Sequence, residues 1–177
     1  MFSSPAEGRD TGGIGDLRLE NKVAVWNSVD HSAQVAVGLE ARFPTGSARR
    51  GLGGEAAVEP FITGGIAFGL LDILVDAAWE FNINGHVKGP QEQELSAGVA
   101  IAYTLHRNFA PLLELRTTTL TRGPAAAELH HGTQVSVIPG FNARLLPRTT
   151  LRMGIELPLT DARRADYVLH TGVVWEF

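Results

Sequence analysis

At 177 residues the chain has the length of one domain, long enough for a sizeable core. Hydrophobic residues make up 44% and charged residues 19%, with a formal net charge of −4, so nothing suggests the basic patch that nucleic-acid binding requires. Cysteine is absent, which excludes disulfides and cysteine-ligated zinc, and no apolar run reaches the ~18–20 residues of a membrane-crossing helix.

Residues 1–15, within "MFSSPAEGRDTGGIGD", are rich in Gly, Ser, Pro and charge and read as an irregular N-terminal segment. They carry neither the basic nor the apolar region of a secretory signal peptide. From residue 16 onward a period of two sets in and runs to residue 177. Nine strands are predicted, at 16–27, 33–44, 55–67, 70–83, 92–106, 109–121, 133–146, 149–159 and 166–177.

In the second, Ala33, Val35, Val37, Leu39, Ala41 and Phe43 alternate with Gln34, Gly38, Glu40 and Arg42. The third is weaker, with Val58, Pro60 and Ile62 set against Glu59 and Thr63. In the fourth, Leu71, Ile73, Val75, Ala77, Trp79 and Phe81 oppose Asp72, Asp76, Glu80 and Asn82. The fifth sets Leu95, Ala97, Val99, Ile101, Tyr103 and Leu105 against Ser, Gly, Ala and Thr. In the eighth, Leu151, Met153, Ile155, Leu157 and Leu159 oppose Thr150, Arg152, Gly154, Glu156 and Pro158. Successive side chains of a strand point to opposite faces, so each segment has one apolar and one polar face. Pro60, Pro111 and Pro139 fall inside strand patterns, where each removes a ladder donor. No stretch has a helical period, and the chain reads as all-β.

Three features orient the faces. Strands of about ten residues match the ~9–11 that cross a bilayer, whereas soluble strands average nearer five or six. The polar parity is rich in Gly, Ala and Ser between charges, unlike a water-facing strand. Connections alternate in length: "SVDHS", "GIAFG", "HRN" and "LPRT" are tight, while "PTGSARRGLGGE", "INGHVKGPQEQE" and "RGPAAAELHHG" are long and "TDARRAD" is intermediate. Outer-membrane barrels have short periplasmic turns and longer outer loops. The expectation is an antiparallel up-and-down transmembrane β-barrel in the bacterial outer membrane, with apolar side chains on lipid. Phe43, Trp79, Phe81 and Tyr167 then fall at the outer strand ends, and Tyr103, Phe109, Trp175 and Phe177 at the periplasmic ends, as interfacial girdles. Trp26 departs from the pattern, since its parity is that of the polar side chains.

With the last strand descending to the periplasm, an odd count of nine makes the first descend too. Single-chain bacterial barrels have even strand numbers, and unpaired edges are costly in lipid. The expectation is a C-terminal portion of a larger barrel, completed by missing N-terminal strands; the alternatives are odd-numbered closure or a partner chain.

"GGIGDLRLENKVAVW", "VGLEARFPTGS" and "EAAVEPFITGGIA" followed by "LDILVDAAWEFN" carry a family resemblance. The G-x-G-D opening (Gly13, Gly15, Asp16) and the strand ending in Pro44, Thr45 and Gly46 resemble the bacterial outer-membrane family of phenol-degradation meta-pathway transporters, over residues 12–177. The resemblance implies a β-barrel channel for small hydrophobic or aromatic compounds, with further strands upstream, and supplies no catalytic residues.

By parity the lumen is lined by Arg18, Glu20, Lys22, Gln34, Glu40, Arg42, Glu59, Asp72, Asp76, Glu80, Glu114, Arg116, Asn142, Arg144, Arg152, Glu156, His170 and Glu176. Two readings stand: a structural ladder of cross-paired Glu and Arg, or a pore whose charges favour cations weakly. Arg116, Arg144 and Arg152 are expected near Glu114 and Glu156. Enzyme chemistry is not expected. Asp72, Asp76 and Glu80 recur every fourth residue, about 13 Å apart along a strand, which suits a lining and not a carboxylate pair. Ser136 and His170 share only a parity. His130 and His131, with Glu128, belong to a loop and are not expected to hold a metal; no cofactor is expected. The expected function is passive passage of small solutes. The alternatives are a non-transporting scaffold barrel in a membrane assembly and a soluble calycin-like barrel with its apolar parity inside.

Overall fold

The computed structural model describes residues 15–46, 56–83, 93–122, 132–162 and 166–175. Every regular element among them is a strand: β1 Leu17–Ser28, β2 Ala33–Phe43, β3 Ala57–Phe68, β4 Leu71–Asn82, β5 Gln93–Tyr103, β6 Phe109–Arg122, β7 Thr133–Leu146, β8 Thr149–Pro158 and β9 Val168–Trp175. They form one antiparallel up-and-down sheet in chain order, a half-barrel with β1 and β9 at its two edges. The predicted strands match in number and order, with ends displaced by a few residues. Phe177 and Glu176, the histidine pair of the 123–132 connection and residues 1–14 lie outside the described residues.

Local chemistry accounts for the hairpins. β3 and β4 are joined by Gly69 and Leu70 alone, and Gly69 takes a φ of +63°, which glycine adopts without a Cβ clash. Pro147 and Arg148 join β7 to β8. These turns and the 29–32 and 104–108 connections all lie at one end of the sheet. The 44–56, 83–92, 123–132 and 159–167 connections lie at the other. The proline penalties are visible and local. The β3–β4 register lapses between Val58 and Phe61, around Pro60, and the β7–β8 register lapses between Val137 and Gly140, beside Pro139.

The two faces differ in kind. The parity of Leu17, Leu39, Ile62, Trp79, Leu95, Leu115 and Leu157 forms the outer face, and the parity of Arg18, Glu40, Glu59, Asp76 and Arg116 forms the inner one. Among the described residues 33 large apolar side chains are exposed, with Leu19 at 63% and Trp175 at 66%, whereas the buried apolar residues are Ala36, Ala57, Ala102, Leu120 and Ile138. All five belong to the inner parity, so the small core sits against the hollow. This is the reverse of a calycin-like barrel, which would hold its apolar parity inside.

Trp26 is corrected by the structure. A β-bulge between Ala24 and Trp26 leaves Val25 unpaired and flips the parity, so that Trp26 lies opposite Val35 on the outer face and Asn27 opposite Gln34 on the inner. Trp26 thereby joins Phe68, Tyr103, Phe109 and Trp175 as exposed outer-face aromatics at the short-turn end. Phe43, Trp79 and Tyr167 stand exposed at the long-loop end, where Trp79 stacks on Phe81 with ring centroids 4.9 Å apart.

The two turn motifs meet. The Leu17 amide donates to Thr45 Oγ1 at 2.8 Å, and the Gly46 amide donates to Asp16 Oδ1 at 2.7 Å. The G-D and P-T-G stretches thus form one reciprocal clasp across the mouth of the β1–β2 pair. Removing either side chain leaves an amide unpaired, so Thr45→Val and Asp16→Ala should each lower unfolding stability by about 1 kcal/mol. The double variant should cost less than the sum, because the two bonds hold the same pair of strand ends. Urea unfolding measures both.

Candidate functional site

The inner face encloses a hollow of about 910 Å³ whose lining comes from all nine strands, from Arg18 on β1 to His170 on β9. It gathers most of the sequence-predicted lining: Arg18, Glu20, Lys22, Glu40, Arg42, Glu59, Asp76, Glu80, Arg116, Arg152, Glu156 and His170. Asp72 instead lines a second hollow of about 760 Å³ toward the short-turn end, with Lys22, Asn27, Gln34 and Asn142. Glu114 lies beneath Arg116, and Arg144 is exposed at the short-turn rim beside the β7 bulge.

Side chains converge on the concave side of a curved sheet, and the inner face answers by placing small residues between long ones. Arg42 on β2 is level with Ala57 on β3 and Asn82 on β4. Over that alanine, Arg42 Nη2 reaches Asn82 Oδ1 at 2.7 Å and Glu80 Oε1 at 2.9 Å. Gly38 lies between Lys22 and Phe61, and a Cβ added there would collide with the Phe61 ring and the Asn21 carbonyl oxygen. Gly98 lies between Asp76 and Arg116, and an added Cβ would stand 2.7 Å from Asp76 Oδ1.

The register also aligns charge. Glu20 pairs with Glu40, Glu40 with Glu59, and Glu80 with Glu94. Glu59 and Glu80 fall level between the flanking pairs Val58–Phe81 and Phe61–Ala78. Five glutamates therefore form one rung across β1 to β5. Like charges placed directly opposite repel, and cations of adjacent rungs offset part of this. Arg18 meets Glu40 at 2.9 Å, Lys22 meets Glu20 at 3.3 Å and Arg42 meets Glu80 at 2.9 Å. Glu59 makes no ion pair or side-chain hydrogen bond among the described residues, and it lies within electrostatic reach of Glu40, Glu80 and Glu94, with Arg18 as the one cation that acts against them. Glu20, Glu40 and Glu80 each meet a cation, which leaves Glu59 as the member of the rung that stands among carboxylates without an ion pair of its own among the described residues.

The opposite wall is arranged differently. Arg116 Nη2 lies 2.7 Å from Glu114 Oε1, as expected. Glu156 pairs with no arginine among the described residues: His170 Nε2 stands 3.0 Å from its Oε2, and Gln134 Nε2 donates to its Oε1 at 3.2 Å and to Ser136 Oγ at 3.0 Å. Arg144 and Arg152 make no ion pair among the described residues, which corrects the expectation that they adjoin Glu114 and Glu156. Distance explains it: Arg152 and Glu156 are four residues apart on one strand face, roughly 13 Å. Ser136 is 2% exposed and accepts from Gln134, while His170 bonds Glu156, so the described residues set no hydroxyl against an imidazole base.

Phe61, Thr63, Glu94, Ser96 and Gln134 also line the hollow and were not predicted. Parity alone would have found Glu94, which directly precedes the outward Leu95. Phe61 was concealed because an aromatic residue on the polar parity runs against the pattern. No cluster of three or more metal-ligating side chains occurs among the described residues. No protein-family model matches the chain, and no curated protein matches it.

The ion pairs should be unequal. Arg42 and Glu80 side chains are 17% and 14% exposed, whereas Arg18 is 49% exposed. Arg42→Ala strands the half-buried Glu80 carboxylate and should cost about 2–3 kcal/mol. Arg18→Ala should cost within about 1 kcal/mol. Equal losses in denaturant unfolding would contradict this ordering.

Proposed function

We propose that the chain forms the wall of an outer-membrane β-barrel channel through which small solutes pass passively, with a preference for cations. The observation that carries the reading is the inverted polarity: apolar side chains cover the outer face while charge is gathered around the hollow. Soluble monomers rarely expose contiguous apolar patches beyond a few hundred Å², and lipid is the solvent that makes such a face favourable. Strand lengths agree, since β1 to β7 run 11 to 14 residues where about 9–11 suffice to cross a bilayer. The aromatic residues at both strand ends suit the two interfaces.

Cation preference follows from the glutamate rung. Five glutamates line the hollow in one rung, Glu59 without an ion pair among the described residues, and rings of acidic side chains favour cations in channels. Arg116, Arg144 and Arg152 on β6 to β8 offset this on the far wall, which makes the preference moderate. The resemblance carried by the G-D and P-T-G motifs adds small hydrophobic or aromatic molecules as the solute class. Phe61 supplies an aromatic surface in the same hollow.

The chain reconstituted in planar lipid bilayers under a tenfold potassium chloride gradient should conduct, with a reversal potential of the sign for cation selectivity. Glu59→Gln combined with Glu40→Gln should move that potential toward zero. A sealed barrel with no conductance above leak would sink the channel and leave a scaffold role. An anion-selective potential would sink the role given to the rung.

A further inference from the structure

The two edges of the sheet are complementary to one another. On its inner face β1 carries three long charged side chains, Arg18, Glu20 and Lys22, each about half exposed. β9 presents His170 between smaller residues, Val168, Gly172 and Val174. A Cβ added to Gly172 would have nothing within 4 Å, and the rung that reaches it runs through Asn142 and Arg152. At Arg42–Ala57–Asn82 and Asp76–Gly98–Arg116 the inner face sets a long side chain on either side of a small one. β1 supplies the long side chains that β9 lacks. On the outer face, Leu19 and Val23 of β1 and Leu169, Val173 and Trp175 of β9 are all exposed. Joined, they would continue one apolar band.

We infer that β1 of one copy pairs with β9 of a second copy, and β9 of the first with β1 of the second. The result is a two-fold barrel of 18 strands, nine from each chain. This rests on the membrane reading above, because edges with open backbone groups are intolerable in lipid and tolerable in water. Curvature selects a second copy over closure within one chain, since the nine strands make a half-barrel and one further half completes it. Direction agrees: β1 and β9 both run from the long-loop end to the short-turn end, so a two-fold axis along the barrel joins both seams at once. It also leaves all long loops on one side. Both seams are parallel pairs, slightly less stable per residue than antiparallel ones but far better than unpaired strands in hydrocarbon.

The chain has no cysteine of its own, which makes cross-linking clean. Copies carrying Asn21→Cys on β1 are mixed with differently tagged copies carrying Leu169→Cys, Thr171→Cys or Val173→Cys on β9, refolded together in detergent micelles and oxidised. At least one equal mixture should convert about half of the protein, the share that random two-fold pairing gives to mixed dimers, to a disulfide-linked dimer containing both tags. Native mass spectrometry of the unsubstituted chain should find two copies per micelle. A double variant, Asn21→Cys with Thr171→Cys, that closes within a single chain would overturn the inference in favour of a nine-strand barrel. A monomer mass with no cross-link in any mixture would also overturn it, in favour of edges covered by strands from outside this chain. Flotation of the unsubstituted chain with liposomes separates the two layers. A chain that floats but does not cross-link loses only the dimer, and one that fails to float loses the membrane reading as well.

Discussion

The inner face of a curved sheet has less room than its outer face, and the inner-face rungs follow from that constraint. Outward side chains diverge and can all be large, so leucine, valine, isoleucine and tryptophan crowd the outer parity. Inward side chains converge, and a long residue fits only where a neighbour is small. Ala57 admits Arg42, Gly98 admits Asp76 and Gly38 admits the ring of Phe61. Glycine serves here through its missing Cβ and not through unusual torsions, because a strand needs none. The same constraint explains a core made of alanines with one leucine and one isoleucine. The sheet's stability comes from its continuous ladder and its inner-face polar bonds, since there is little apolar interior to draw on.

That crowding also shapes the electrostatics. A charged side chain confined to a narrow inner face either reaches a counter-charge over a small neighbour or stands beside its own kind. Arg42 does the former, and Glu59 the latter. Repulsion along a five-glutamate rung costs free energy, and the adjacent rung of Arg18 and Arg42 recovers part of it. On the far wall, Gln134 and His170 satisfy Glu156 with hydrogen bonds. The two walls thus differ: one aligns five glutamates in a rung, and the other holds Arg144 and Arg152, which make no ion pair among the described residues.

Turn chemistry and strand edges set the limits of the unit. Tight turns at one end hold neighbouring strands in register, most strictly at Gly69 and Leu70, where no slack remains. At the other end the Asp16–Gly46 and Thr45–Leu17 bonds do the same work for β1 and β2 without a short turn. This gives the two short motifs of the sequence a structural purpose: they close the first hairpin across its long-loop end. Among the described residues the ladder ends at β1 and β9, and β1 is exposed along all but its last residue, Ser28.

The sequence by itself determined the all-β class, the nine strands in order, the two faces of each and which connections are tight. These are local properties: a period of two is written in neighbouring residues, and a glycine turn needs no distant partner. It also identified most of the hollow's lining, because parity carries over from residue to residue along a strand. Only the tertiary structure decided which residues meet. Register depends on how each strand slides against the next, and one bulge reverses parity downstream, as it does at Trp26. Thus the alignment of Glu20, Glu40, Glu59, Glu80 and Glu94 in one rung, and the choice of His170 over an arginine by Glu156, appear only when the strands are paired. Phe61 was illegible for a related reason, since an inward aromatic ring makes sense only beside a glycine on another strand.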